Sequence, residues 1–274
     1  MGVKIATAET IPYALPFRRP YVTARGRLEQ REMVLLRLRS EEGIVGLGEA
    51  VPLSLRGGAT LVTVVRELEA LTQLDSLSEG DVEAAASTLS APARCAALTA
   101  LLDLRSRRAD AGAEVRSSFP SDSGTKDDRT PGGPGGIACN ATLVAGEPAA
   151  VAEDAAAWAA EGFTTFKLKL GAGDDVEQVR AVREAVGPAA RIRVDANEAW
   201  DVDTAAAVLA ELEPFEIELA EQPVGSLEEL AELAKATSIP LAADESVASR
   251  GEAERAAALG ACEFTGIKLS KVGG

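Results

Sequence analysis

An α/β protein is predicted from this sequence, with a barrel of alternating strands and helices preceded by an α+β domain. Three observations carry the prediction. From residue 137 onward six short β-rich runs alternate with Ala- and Glu-rich helical stretches, the pattern of successive βα units. The strand-like runs end in charged or amide residues, and Lys169, Asp195, Glu221, Asp244 and Lys268 follow one another at separations of 26, 26, 23 and 24 residues. Ahead of these repeats, residues 1 to about 60 read as strand material, followed by two helical stretches.

Taken in order, "MVLLRLRS" and "EEGIVGLGEA" supply two strands and a Gly-containing turn, hence an antiparallel hairpin. "LVTVVRELEALT" (61–72) and "APARCAALTALLDLRSRRA" (91–109) place apolar residues three and four apart among good helix formers. An α+β domain over 1–116 is the expected unit. Residues 117–136, "SSFPSDSGTKDDRTPGGPGG", hold almost nothing to bury and read as a linker or loop. The barrel domain then runs over 137–274, with strands in "IACNATLV", "TTFKLKL", "RIRVDA", "FEIELAEQ", "PLAADES" and "FTGIKLS". Parallel strands can form an open doubly wound sheet or a closed barrel. Charged groups at successive strand ends converge in a barrel mouth, whereas an open sheet spreads them along an edge, so the barrel is favoured.

The run "TFKLKL" raises the question of chemistry. Side chains alternate along a strand, so Lys167 and Lys169 share one face while Phe166, Leu168 and Leu170 take the other. An amphipathic strand with a solvated face is the ordinary reading. The strand-end acids change it: Asp195, Glu221 and Asp244 are hard oxygen donors, a set that suits Mg²⁺ rather than zinc. Each acid alone reads as a strand-end cap or a surface ion pair. Three in repeat register place a candidate metal centre opposite the lysines, with Lys268 approaching from the other side.

Composition narrows the chemistry further. The chain has no histidine, which excludes Ser-His-Asp and Cys-His nucleophiles, His-ligated zinc and a His general base. With 28 Lys and Arg against 43 Asp and Glu, the net charge is -15, which repels nucleic acid and anionic membrane surfaces. No run approaches a membrane span and the first residues lack a secretory pattern, so a cytoplasmic protein is expected. Cys95, Cys139 and Cys262 are too far apart for a zinc or redox motif and are expected to be small apolar core residues.

"KLK" at 167–169, "DAN" at 195–197, "EQP" at 221–223, "ADES" at 243–246 and "IKLSKVGG" at 267–274 together resemble the enolase superfamily, in its muconate lactonizing enzyme subgroup. "EEGIVGLGEAVPL" is similar to that superfamily's capping-domain hairpin. The resemblance implies a (β/α)₇β barrel under an α+β capping domain, with Mg²⁺ on Asp195, Glu221 and Asp244. It makes Lys169 and Lys268 an acid/base pair, and has Lys167 hold the substrate carboxylate or tune Lys169. A lysine must shed its proton to act as a base, and a like charge two residues away favours the neutral form. The mandelate racemase branch, which uses a His base, is excluded.

The implied activity is removal of a proton alpha to a carboxylate through an enolate. "PYVTARGRLEQREMVLLRL" (20–38) with "GLGEAVPL" is most similar to the o-succinylbenzoate synthases of menaquinone biosynthesis, and "CNATL" is compatible with them. Dipeptide epimerases and muconate cycloisomerases are the alternatives; the epimerases usually carry an Asp-x-Asp after the last strand, a stretch that this sequence does not include. Substrate contacts are expected from Thr23 and Arg25 on a capping loop, and from Asn140 and Asn197. The expected partner is a small carboxylate, with homo-oligomerisation left open. An inactive barrel acting as a binding module is the non-enzyme reading, against which the full set of three acids and three lysines argues. Two of the implied eight strands fall beyond "KVGG", so a longer gene product, or a second polypeptide, is expected to complete the barrel.

Overall fold

The structure is a computed structural model and describes residues 3–23, 26–52, 58–73, 77–112 and 139–273. The expected linker at 117–136 lies outside the described residues. The chain divides into two compact units, Met1–Pro20 with Leu28–Ser123 and Ile267–Gly274, and Tyr21–Arg27 with Gly124–Gly266.

The first unit is built on a four-stranded sheet in the order β3-β2-β1-β4, with β1 at Lys4–Thr23, β2 at Gly26–Ser40, β3 at Val45–Ala50 and β4 at Leu77–Ser78. The predicted hairpin is β2 and β3, antiparallel and in register from Val34↔Ala50 to Arg39↔Val45. Alternation sets the faces: Val34, Leu36 and Leu38 are fully buried while Arg37 and Arg39 point away. Helix α1 spans Leu61–Thr72, capped by the Thr60 side chain, and α3 spans Ala91–Gly112. A helix not anticipated, α2 at Glu79–Ala86, starts at a capping box in which Ser78 and Asp81 each accept from the other's backbone N–H.

Helix α3 packs on the buried face of β3 closely enough to dictate glycine there. A Cβ on Gly48 would lie 1.9 Å from the Ala96 carbonyl oxygen, and one on Gly46 would lie 2.3 Å from that of Ala100. Gly48→Ala is therefore expected to destabilise the protein by about 3 kcal/mol or more, the upper range of overpacking. Urea denaturation checks this, and a loss below about 1 kcal/mol would mean that α3 can move away at little cost. The last helix, α9 at Leu269–Val272, is tied to α3 by Arg94, whose guanidinium donates to the carbonyls of Val272 (3.1 Å) and Gly273 (3.2 Å).

The second unit holds the predicted repeats. Its strands are β5 Ala141–Leu143, β6 Thr165–Lys169, β7 Arg191–Asp195, β8 Ile217–Glu221, β9 Leu241–Ala243 and β10 Phe264–Thr265. Helices α4 Pro148–Ala160, α5 Asp175–Val186, α6 Val202–Leu212, α7 Leu227–Leu233 and α8 Arg250–Leu259 alternate with them. All pairings are parallel and the order is sequential, β10-β9-β8-β7-β6-β5. Sequential order is the barrel arrangement, because a doubly wound sheet reverses direction at a switch point.

Phe166, Leu168 and Leu170, with Ile192, Val194, Leu209, Leu230 and Leu241, form this unit's core. The loops leaving the strands' C-terminal ends lead into helices capped by Asp174, Asp201, Ser226 and Ser249, each accepting a backbone N–H of the first turn. Cys95 is buried as expected. Cys262 is only half-buried and Cys139 is exposed, so the core role does not extend to them. Among the described residues no helix is long and apolar enough to cross a membrane.

Candidate active site

The predicted charged residues do lie at strand ends, with one exception. Lys169, Asp195 and Glu221 are the last residues of β6, β7 and β8, and Asp244 follows β9 directly. Adjacent registers pair Lys169 with Asp195 and Asp195 with Glu221. Lys268 differs: β10 ends at Thr265, and Lys268 is the N-cap residue of α9, in the other unit. The "FTGIKLS" run therefore forms only a two-residue strand, whose residues Phe264 and Thr265 are both exposed.

Lys167 and Lys169 point to the face opposite Phe166 and Leu168, and carboxylates meet them there. The Lys167 ammonium bridges Glu221 Oε2 (2.6 Å) and Asp195 Oδ2 (2.7 Å). Lys169 donates to the same Asp195 Oδ2 (2.5 Å) and to Asn197 Oδ1 (2.9 Å). Exposure of the Asp195 and Lys169 side chains is 1% and 6%, against 18% for Lys167 and 15% for Glu221. Two ammonium groups thus converge on one buried carboxylate oxygen.

These contacts order the electrostatics. Burial opposes the charge on Lys167, but the Asp195 and Glu221 carboxylates overcome it and hold the ammonium above the ordinary lysine value. Burial likewise favours neutral Asp195, yet Lys167 and Lys169 together hold its carboxyl below the usual range. Glu221 is pushed up, first by burial and then by the Asp195 charge, against the pull of Lys167, with Asp244 adding to the rise. Asp244 is itself fully buried.

The loops that carry these groups are under backbone constraint. Asn197, Glu198 and Gln222 have φ of 49°, 64° and 39°, in the left-handed region, where non-glycine residues are uncommon and cluster at functional sites. Asn197 links Lys169 to Glu245, donating from Nδ2 to Glu245 Oε1 at 3.0 Å. Its side-chain oxygen accepts from Lys169, which places this expected substrate contact beside the lysine. Asn140 lies just before β5 rather than on it, and donates to Thr142 Oγ1 at 3.2 Å. Arg25 lies outside the described residues, as does the side chain of Thr23.

Two glutamines went unread in the sequence. Gln178 on α5 donates to the Lys169 carbonyl and accepts from Gly146 N–H, both at 3.0 Å, fastening the end of β6 to the loop after β5. Gln222, next to Glu221 in "EQP", is fully buried, and its amide is bonded to the loop after β9. A glutamine adjoining a strand-end acid was the only available signal, because nothing in sequence spacing shows which loop an amide will reach.

Two of the three acids already hold a cation between them, since the Lys167 ammonium stands between Asp195 and Glu221 as an ion would. Near the third, a Cβ on Gly266 would come within 3.3 Å of Asp244 Oδ1, so the glycine leaves that carboxylate space. The donor set is all oxygen and fits a hard divalent ion. Among the described residues no group of three or more Asp, Glu, Cys or His side chains is arranged as around a bound metal ion.

Sequentially ordered parallel βα units with lysines and carboxylates at their C-terminal ends define the barrel class of α/β proteins, here with an α+β unit in the same chain. Residues 150–274 match the model of the enolase C-terminal domain-like family, and residues 5–113 match the N-terminal domain of mandelate racemase/muconate lactonizing enzyme. The D-Ala-D/L-Ala epimerase of Cytophaga hutchinsonii is 30% identical over 281 residues, 98% of this chain and 73% of that protein. The o-succinylbenzoate synthase of Thermobifida fusca is 40% identical over 144 residues, 50% of this chain but only 44% of that enzyme. The crystal structure of a dipeptide epimerase from Cytophaga hutchinsonii, complexed with Mg and D-Ala-L-Val, superposes with a TM-score of 0.83 at 28% identity, covering 99% of this chain and 73% of the other. The chain belongs to the mandelate racemase/muconate lactonizing enzyme family of the enolase superfamily, and its relatives are enzymes.

Proposed function

We propose that this protein is a Mg²⁺-dependent enzyme that removes a proton alpha to a carboxylate, and that its reaction is the dehydration of a cyclohexadiene carboxylate to o-succinylbenzoate. One observation carries the reaction class: in a chain without histidine, two lysines on one strand face are packed against carboxylates at the ends of the next strands. Asp195, Glu221 and Asp244 are the residues that would hold Mg²⁺. When bound, the ion supplies positive charge where negative charge develops on the substrate carboxylate. Lys169 takes the alpha proton, and the electrons left behind expel the hydroxyl from the adjacent carbon, which departs as water once that proton is returned. Lys167 holds the substrate carboxylate or tunes Lys169. Lys268 serves as the opposite-face acid or cation, and Thr23, Arg25, Asn140 and Asn197 border the substrate.

The 40% identity to a synthase over half the chain supports the dehydration. The match to an epimerase over nearly the whole chain favours a second reading, epimerisation of dipeptides. The two differ chemically. Dehydration on one face needs a single proton carrier, whereas inversion needs Lys169 and a second group on the opposite face. An assay of the longest form the gene encodes, with Mg²⁺, against the dehydration substrate, L-Ala-Glu dipeptides and cis,cis-muconate decides between them. Turnover of the cyclohexadiene carboxylate is expected, and turnover of dipeptides alone would transfer the assignment to the epimerases.

A further inference from the structure

Gln222 joins three consecutive strand-end loops. Its Oε1 accepts from Asp244 N–H (2.8 Å), Ser246 N–H (3.2 Å) and Ser246 Oγ (2.9 Å), and its Nε2 donates to the Val224 carbonyl at 2.8 Å. Its backbone N–H donates to Ala242 O and its carbonyl accepts from Glu198 N–H, each at 2.8 Å. The loops after β7, β8 and β9 therefore meet on one residue. The side chain is fully buried and φ is 39°, so the backbone is held in a costly conformation that brings the amide to the next loop.

A carbonyl oxygen has two lone pairs, yet this one serves three donors. An apolar side chain of the same length would leave the buried Asp244 N–H and the half-buried Ser246 N–H and hydroxyl without their acceptor, and buried polar groups rarely persist that way. The consequence falls on Asp244, because the backbone of that acid is one of the groups held. Glu221 is the residue immediately before the clamp, so a shift of Gln222 moves it as well.

We propose that Gln222 is a positioning residue for the metal centre, fixing the backbone of Asp244 relative to that of Glu221; this rests on the reading of Asp195, Glu221 and Asp244 as the Mg²⁺ ligands. It does not touch the ion. Its amide ties the backbone of the loop after β9 in place, so that binding a cation spends less free energy on ordering it.

The test uses the 274-residue chain, with Mn²⁺ as a paramagnetic probe of the site and hydrogen exchange of the metal-free protein as the second readout. Wild type is expected to bind one Mn²⁺ and Asp244→Asn to abolish that binding. In Gln222→Met the Mn²⁺ dissociation constant is expected to rise about 10- to 100-fold, the range for residues that orient ligands. Amides 244–248 are expected to exchange at least about tenfold faster without metal, as a loop opening independently of the core does. Gln222→Glu keeps the acceptor oxygen and is expected to restore much of the amide protection, and it also serves if the Met variant does not fold. Unchanged Mn²⁺ affinity and unchanged exchange in a folded Gln222 variant, with Asp244→Asn still abolishing binding, would overturn the proposal and leave the metal reading intact. Absence of Mn²⁺ binding by wild type would overturn the metal reading, and the proposal with it.

Discussion

Asp195→Ala is expected to lower the stability of the metal-free protein by about 3–5 kcal/mol, the cost of stranding buried charge by removing one partner. Asp195 Oδ2 is the shared acceptor of Lys167 and Lys169, and its side chain is 1% exposed. Its loss leaves Lys169 in a nearly dry site with only the neutral Asn197 amide as acceptor among the bonds described here. Glu221→Ala is expected to cost clearly less, since that side chain is 15% exposed and its carboxyl is already pushed toward neutrality by burial and by the Asp195 charge. Urea denaturation of the two variants at neutral pH makes the comparison. Equal losses would mean that the shared oxygen is not the keystone of the cluster.

Lys169→Ala is expected to reduce turnover by about 10²–10⁴ or more, the range for a group that carries a proton in the transition state. Alanine also removes the ion pair with Asp195, so a lost fold would mimic lost chemistry. Lys169→Arg separates the two effects: the guanidinium keeps the charge opposite Asp195 but does not give up its proton near neutral pH. The Arg variant is expected to fold and to be as inactive as the Ala variant. An Arg variant with more than a tenth of wild-type turnover would show that Lys169 acts through its charge and not as a base.

Much of this site could be read before any coordinates. Lys167 and Lys169 point one way because alternation along a strand is a local property, and Asp195 and Glu221 fall beside them because the repeat length returns each strand end to the same level. Helix α1 begins and ends where its apolar spacing does, at Leu61 and Thr72. Helix α2 escaped notice because only Val82 and Ala86 are buried along its eight residues. Periodicity reports a buried face, and a helix with two buried residues barely has one. The last strand stops at Thr265, before the lysine it was expected to carry, and Arg94 instead fastens the residues after Lys268 to α3.

Residue order alone was enough for the strand and helix periods, the exclusion of histidine chemistry and the levels of the acids, because each depends on identity and spacing along the chain. Which partners those residues take was settled in three dimensions. That Lys167 and Lys169 share one oxygen of Asp195, that Asn197 turns to Lys169 and that Gln222 reaches across to Asp244 depend on side-chain directions in loops with left-handed backbone. Gly46 and Gly48 make the same point in the other unit: their spacing marks one face of β3, but the need for glycine there arises because α3 comes within van der Waals reach of that face. Contacts of this kind join residues far apart in sequence, and packing selects among many sterically allowed pairings that local propensity leaves equivalent.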